Sequence, residues 1–284
     1  MAHATVREHQ MALLDMLHEI DRICSSNGIA YQLFAGTALG AVRHQGFIPW
    51  DDDLDVIMLR KDYDRFLELA PGLLGDEYFL QCEFSEHWPM FFSKLRRNGT
   101  ACMEKTHPRD RLQHQGIYVD IFPADTLSEY RLGRLWQFLA SKVVIGKCLG
   151  RRGYLTDSWM KKLFIELCKP LPRGPFLRAV QARRKDTSRV HSFLGASSRY
   201  EHSVYPREWL ADSTRVPFED GLFPVSSHYD EMLTTLYGDW RRIPPPEERR
   251  CKVHAMLVDL DHSWEQYVDW QAQQKITEYT RSIR

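Results

Sequence analysis

Four carboxylates stand within five positions at Asp51, Asp52, Asp53 and Asp55, between Ile48-Pro49-Trp50 and the apolar Val56-Ile57-Met58. So much negative charge beside a strand-like segment needs a counter-charge, because an ionised group taken out of water is costly unless it is paired or metal-bound. A strand over 53–58 alternates its side chains, so Asp51, Asp53 and Asp55 project to one face. Carboxylates at that spacing on a rigid strand suit a hard cation, Mg²⁺ or Mn²⁺, held through one or two of them and through substrate phosphates. The run points to metal-assisted phosphoryl chemistry.

A chain of 284 residues is one large domain or a domain with an insertion, and 43% hydrophobic residues suffice for a packed core. The zero net charge hides an asymmetry. Residues 131–189 hold fifteen Lys and Arg against Asp157, Glu166 and Asp186, which leaves the remainder acidic. Such a segment suits an anionic partner: a phosphorylated substrate, a membrane surface or nucleic acid. A solvated helical face carries the same charge with no partner. The six cysteines have no CxxC or metal-ligand spacing and read as reduced, mostly buried thiols of a cytosolic protein. Residues 1–24 lack the pattern of a signal peptide, and no apolar run reaches transmembrane length. The expectation is a soluble protein, or one bound to the inner face of a membrane.

Helical spacing predicts helices over 5–25, from Gly36-Thr37 through Arg43, and over 61–69. Strands are expected over 29–35, 78–82, 91–96 and 117–122. The basic stretch reads as a helical insertion, with helices around 135–145, 159–167 and 176–189. A Pro-rich strand-and-loop segment follows, then helices over 226–237 and 263–280. Three parts result: a core at 1–127, an insertion at 128–199, and the rest of the core at 200–284.

Gly36-Thr37 at a helix N-terminus offers backbone N–H groups to phosphate, and Asp53-Leu54-Asp55 offers a metal site close by in sequence. Asp120, inside Tyr118-Val119-Asp120-Ile121-Phe122, is a further acid; on a neighbouring strand it becomes a metal ligand or the base for an attacking hydroxyl. Arg43, Lys94 and Arg96 are candidates for phosphate oxygens. A calcium loop is rejected, since Val56 and Asp62 stand where Gly and Glu are required. There is no HExxH zinc pattern and no GxSxG elbow.

Phe34-Ala35-Gly36-Thr37-Ala38-Leu39-Gly40-Ala41-Val42-Arg43, with Gly46-Phe47-Ile48-Pro49-Trp50 and the acids through Val56, closely resembles the LicD family. That family includes phosphorylcholine transferases and is related to fukutin and fukutin-related protein. The likeness continues at Asp62-Tyr63, Lys94-Leu95-Arg96, Gly99-Thr100 and Val119 to Pro123. It returns at Tyr237-Gly238-Asp239-Trp240 and from Pro244-Pro245-Pro246 through Arg249 to His254. Ala35 departs from it, standing where many members have glycine, and so does Ala124, where a larger apolar residue is common.

The resemblance implies an α/β (α+β) nucleotidyltransferase-like mixed sheet with flanking helices. It also implies transfer of a phospho-substituent, often phosphocholine from CDP-choline, onto a surface glycan or its lipid-linked precursor. By position, Asp51, Asp53, Asp55 and Asp120 resemble the family's metal-binding acids. Trp50, Trp88 and Tyr118 are candidates for an aromatic cage around choline. The basic segment suggests peripheral contact with an anionic membrane, and no nucleic-acid partner is expected. Two other readings stay open: a nucleotidyltransferase that releases pyrophosphate from an NTP, and a non-catalytic module that binds glycan or membrane.

Overall fold

The computed structural model describes residues 4–104, 111–152, 158–181, 187–192, 194, 200–249 and 255–271. Helix α1 (Val6–Asn27) starts at a capping box between Thr5 and Glu8 and stops at Gly28, whose φ of 61° costs glycine little. There follow β1 (Gln32–Leu33), α2 (Ala35–His44), β2 (Asp55–Leu59), α3 (Arg60–Leu69), β3 (Tyr78–Gln81), β4 (Ser93–Arg97), β5 (Ala101–Glu104) and β6 (Tyr118–Thr126). The basic segment supplies α4 (Arg131–Arg152), α5 (Trp159–Cys168), α6 (Arg173–Val180) and β7 (Arg189–His191). Beyond it lie β8 (Val204–Pro206), α7 (Glu208–Ala211), β9 (Ser213–Phe218), β10 (Gly221–Ser226), α8 (Tyr229–Tyr237), α9 (Pro246–Arg249) and β11 (Ala255–Asp259).

The main sheet runs β1-β2-β6-β4-β3, with β2 and β6 parallel and the other pairs antiparallel. It is a mixed sheet with flanking helices, an α/β fold of the expected kind. Period-two alternation divides its side chains between two cores. Val56, Met58, Leu95, Val119 and Ile121 pack with Leu13, Leu17 and Ile20 of α1 on one face. Ile57, Phe122 and Ala124 pack with Phe34, Trp88 and Val144 of α4 on the other. Each fully buried aliphatic side chain contributes about 1.5–3 kcal/mol, so both faces hold the sheet.

Several boundaries differ from expectation. The strand expected over 29–35 is only Gln32–Leu33, and the acidic strand begins at Asp55, leaving 51–54 irregular. The helix expected over 176–189 ends at Val180, and β7 within the basic segment pairs with Asp125 and Thr126 of β6. The sheet therefore extends into the helical insertion. Strand β5 and the β9–β10 hairpin had no clear periodic signal. At the C-terminus a short 3-10 turn, Trp264–Tyr267, begins the expected helix, whose residues 272–280 lie outside the described ones. Cys24, Cys82, Cys102, Cys148 and Cys168 are free thiols, and Cys251 lies outside the described residues. Among the described residues, no helix is long and apolar enough to cross a membrane.

Candidate active site

Register places the charged side chains in one row. Asp55 of β2 pairs with Asp120 of β6, and Asp120 pairs with Lys94 of β4. These positions alternate with the residues packed by α1, so the row lies on the face covered by Trp88 and α4. Lys94 Nζ stands 3.0 Å from Asp120 Oδ1 and 3.5 Å from Glu104 Oε1. It also lies 3.1 Å from the ring centroid of Tyr118. Arg152, at the end of α4, donates to Glu104 at 2.8 Å.

Burial dominates these groups. It lowers the Lys94 ammonium and raises the Asp120 carboxyl, so the ion pair works against desolvation. Burial also acts against ionised Glu104, but Lys94, Arg152 and Arg96 together hold it well below the usual carboxylate range. Asp55 is raised well above its ordinary value by burial and then by Asp53, Asp120 and Asp51. A concentration of carboxylates that repel one another has been built at the end of β2.

An open cavity of about 610 Å³ lies over this end. Asp51, Asp53 and Asp55 line it, together with Ala35 and Gly36 from the first turn of α2. Although 51–54 is not a strand, the acids still divide by parity. Asp52 is buried, and its Oδ2 accepts the Ala255 N–H at 2.9 Å. Gln10 of α1 fixes the same loop by donating to Ile48 O and Asp51 O. Gly36 lies close against the acids: a Cβ there would sit 2.9 Å from Asp51 Oδ2, so a larger residue would move that carboxylate. The other described cavity, of about 40 Å³ beside Phe122 and Val144, has room for a few waters and not for a nucleotide.

The remaining candidates are distributed unevenly. Thr37 Oγ1 accepts the Asp55 N–H at 2.8 Å, which clamps α2 to β2. Arg43 lines the cavity, and its Nη1 donates to the carbonyl oxygens of Trp240 and Arg242. Lys94 and Arg96, expected at phosphate, are each 2% exposed and are not among the cavity-lining residues. Arg96 is spent on Gln81 Oε1 and Gly116 O. Asp120 likewise stands behind Asp55 and off the cavity wall. Of the cage candidates only Trp50 lines the cavity; Trp88 is fully buried, and the Tyr118 hydroxyl donates to Glu104.

More of the lining comes from a region to which sequence reasoning gave no role. Tyr237, Asp239, Trp240, Arg242, Pro244 and Pro245 all face the cavity. Their signal was the Tyr-Gly-Asp-Trp motif, in which Gly238 takes a φ of 71° just after α8. Desolvation and the field of Asp55, Asp51 and Asp53 push the Tyr237 phenol up, so it stays a hydroxyl donor at neutral pH. The arrangement pairs an acidic floor with an aromatic wall and arginines at 43 and 242. It can hold a cation, an anionic phosphate bound to that cation, and an organic cation against a ring.

Sequence comparison relates the chain to known proteins. The family model described as LicD/FKTN/FKRP, nucleotidyltransferase domain, matches residues 28–178, more than half of the chain. The lipopolysaccharide cholinephosphotransferase LicD of Haemophilus influenzae is 25% identical over 260 residues, covering 88% of this chain and 96% of that protein. An uncharacterised protein of Rickettsia typhi is 39% identical over 61 residues, which is 22% of this chain and 20% of that one. Acid motif, fold and matched span agree: the chain belongs to the LicD family.

Proposed function

We propose that this LicD-family phosphotransferase moves phosphocholine from CDP-choline to a hydroxyl of a cell-surface glycan or its lipid-linked precursor, with Mg²⁺ or Mn²⁺ as its resident cation. The observation that carries the reading is one cavity lined by Asp51, Asp53 and Asp55 together with Tyr237 and Trp240. The printed name of the Haemophilus influenzae relative supports the choice of phosphocholine and of a glycolipid acceptor.

The donor set fits a hard cation. Asp51, Asp53, Asp55 and Asp239 line the cavity, and burial with mutual repulsion disfavours the charged form of Asp55 unless positive charge is supplied. Among the described residues no three His, Cys, Asp or Glu side chains are already gathered into a metal cage. Mg²⁺ would take one or two of the cavity carboxylates and leave its other positions to phosphate and water. When bound, the cation neutralises the diphosphate oxygens and draws charge from the leaving group.

The chain's own residues do the positioning. Asp51, Asp53 and Asp55 would be the ligands; Asp120, ion-paired to Lys94, fixes the strand beside Asp55. Arg43, Arg242 and the N-terminal turn of α2 face the phosphates. Trp50, Tyr237 and Trp240 offer rings to the trimethylammonium group. The acceptor hydroxyl attacks the choline-bearing phosphorus in line, its proton passes to a cavity carboxylate, and the bond to CMP breaks.

The test is product analysis with Mg²⁺, CDP-linked alcohols, NTPs and a glycolipid extract. CMP release that needs CDP-choline and the extract is expected, and Asp53→Ala or Asp55→Ala should lower it at least about 10³-fold with the melting temperature retained. Full activity in both variants would remove the metal assignment. The family model's description keeps a second reading in view, and pyrophosphate released from an NTP would favour it.

A further inference from the structure

Helices α4 and α5 carry apolar residues at helical spacing on the side away from the protein. Leu132, Leu135 and Leu139 of α4 are 81%, 53% and 50% exposed. Trp159, Leu163 and Leu167 of α5 are 70%, 50% and 62% exposed. Positions i, i+3 or i+4, and i+7 or i+8 form one stripe on a helix, which ordinarily faces a core. On α5 the inward contacts are instead made by Ile165 and Cys168, which close against Gly150 and Gly146 of α4. Helix α4 buries Ala140, Ser141, Val144 and Cys148 on its inner side, so each helix carries a second, outward stripe of apolar residues in addition to its packed face.

The charge around these stripes is one-sided. Residues 131–152 and 158–181 contain eleven lysines and arginines and one acid, Glu166. Lys161 and Lys162 lie between Trp159 and Leu163 on α5, both exposed. A basic helix with an outward apolar stripe matches the requirements of a lipid interface: apolar side chains enter the acyl boundary while Lys and Arg stems reach back to headgroup phosphates. A second copy of this chain would bring like charge against like. Neither helix is apolar enough to span a bilayer. Large apolar side chains exposed at helical spacing on both helices, amid charge of one sign, mark an interaction site.

We propose that the outward face of α4 and α5 docks the protein on an anionic membrane surface, lying in the interface plane. The face is coupled to the catalytic sheet through α4 itself, whose Arg152 holds Glu104 beside Lys94. Docking needs neither donor nor acceptor, so it stands or falls separately from the phosphocholine reading.

The experiment is flotation of the full chain with vesicles of phosphatidylcholine alone or mixed with phosphatidylglycerol, read with tryptophan fluorescence. Binding should require phosphatidylglycerol, weaken as salt is raised, and shift the emission of the exposed Trp159 to the blue. Lys161→Glu with Lys162→Glu should lower the partition at least about tenfold. Leu163→Glu with Leu167→Glu should abolish the blue shift while leaving the melting temperature unchanged. Three outcomes overturn docking: binding indifferent to phosphatidylglycerol and salt, binding untouched by both double variants, or no vesicle binding with self-association that the leucine variants disperse.

Discussion

Charge and apolar surface exchange places between two regions of this molecule. In the β2–β6–β4 row, Asp55, Asp120, Lys94 and Arg96 are enclosed by rings and strands, and what faces solvent is a polar cavity. In α4 and α5 the leucines and Trp159 face solvent, while Ala140, Val144 and Cys148 of α4 and Ile165 and Cys168 of α5 make the interior contact. The first arrangement is costly in isolation and is retained where charges are needed at fixed positions for chemistry. The second is costly in water and is retained where another apolar phase completes it. One chain thus carries two departures from the usual inside-outside rule, each aimed at a different partner.

The largest effect on stability is expected from Lys94→Met. It leaves Asp120 and Glu104 facing each other without their shared cation, and urea denaturation should show a loss of about 3–5 kcal/mol. A loss below 1 kcal/mol, on the order of an exposed pair, would show that the row is solvated and would erase the contrast with α5. Next in size is Gly40→Ala, whose Cβ would lie 2.5 Å from the backbone oxygen of Gly46. Backbone cannot move aside cheaply there, and a loss of about 1–3 kcal/mol is expected.

Acid acts through two histidines, His9 and His114. Burial holds the His114 imidazole down to about 3, and its Nδ1 accepts the Gly116 N–H at 3.0 Å. Burial likewise holds His9 down to about 4. Both are depressed in the folded protein, so the unfolded chain takes up protons first as pH falls. The contribution of these two histidines should be flat above about pH 6.5 and decline below it, by roughly 1 kcal/mol per pH unit for each until its folded value is reached. His114→Gln should flatten part of that slope in thermal melts between those limits.

Ala35 offers an opposite sign. It opens α2 at the cavity wall with a φ of 46°, a left-handed conformation that glycine adopts freely and alanine does not. Ala35→Gly should raise stability by about 1 kcal/mol, which thermal melting can read. The smallest change is expected from Leu163→Glu, within about 0.5 kcal/mol, because the side chain it replaces is already in water. A large loss from that substitution would mean the leucine is covered by the protein itself, and the two regions would no longer differ.

Much of the site was legible because it is local. Gly36, Thr37 and the acids from 51 to 55 lie within twenty residues, and short-range spacing alone says they meet. The alternating strand that placed Asp51, Asp53 and Asp55 on one face is absent over 51–54, yet Gln10 and the β11 backbone hold that loop so that Asp52 turns inward and the other three turn to the cavity. The phosphate role given to Lys94 and Arg96 was not supported by their positions. A strand position fixes which face a side chain takes, not whether that face is open, and Trp88 closes it.

Sequence by itself determined the acid-rich strand end and the basic helical segment, because each is written in residues close together along the chain; the family followed from several such motifs, and the mixed sheet only from the family resemblance. Tertiary structure alone decided that Asp120 stands behind Asp55 and that Tyr237, Asp239 and Trp240 complete the cavity from more than 180 positions away. It also decided which side of α4 and α5 faces outward. Helical spacing reveals that a stripe exists, whereas the direction in which it points depends on what packs against the helix.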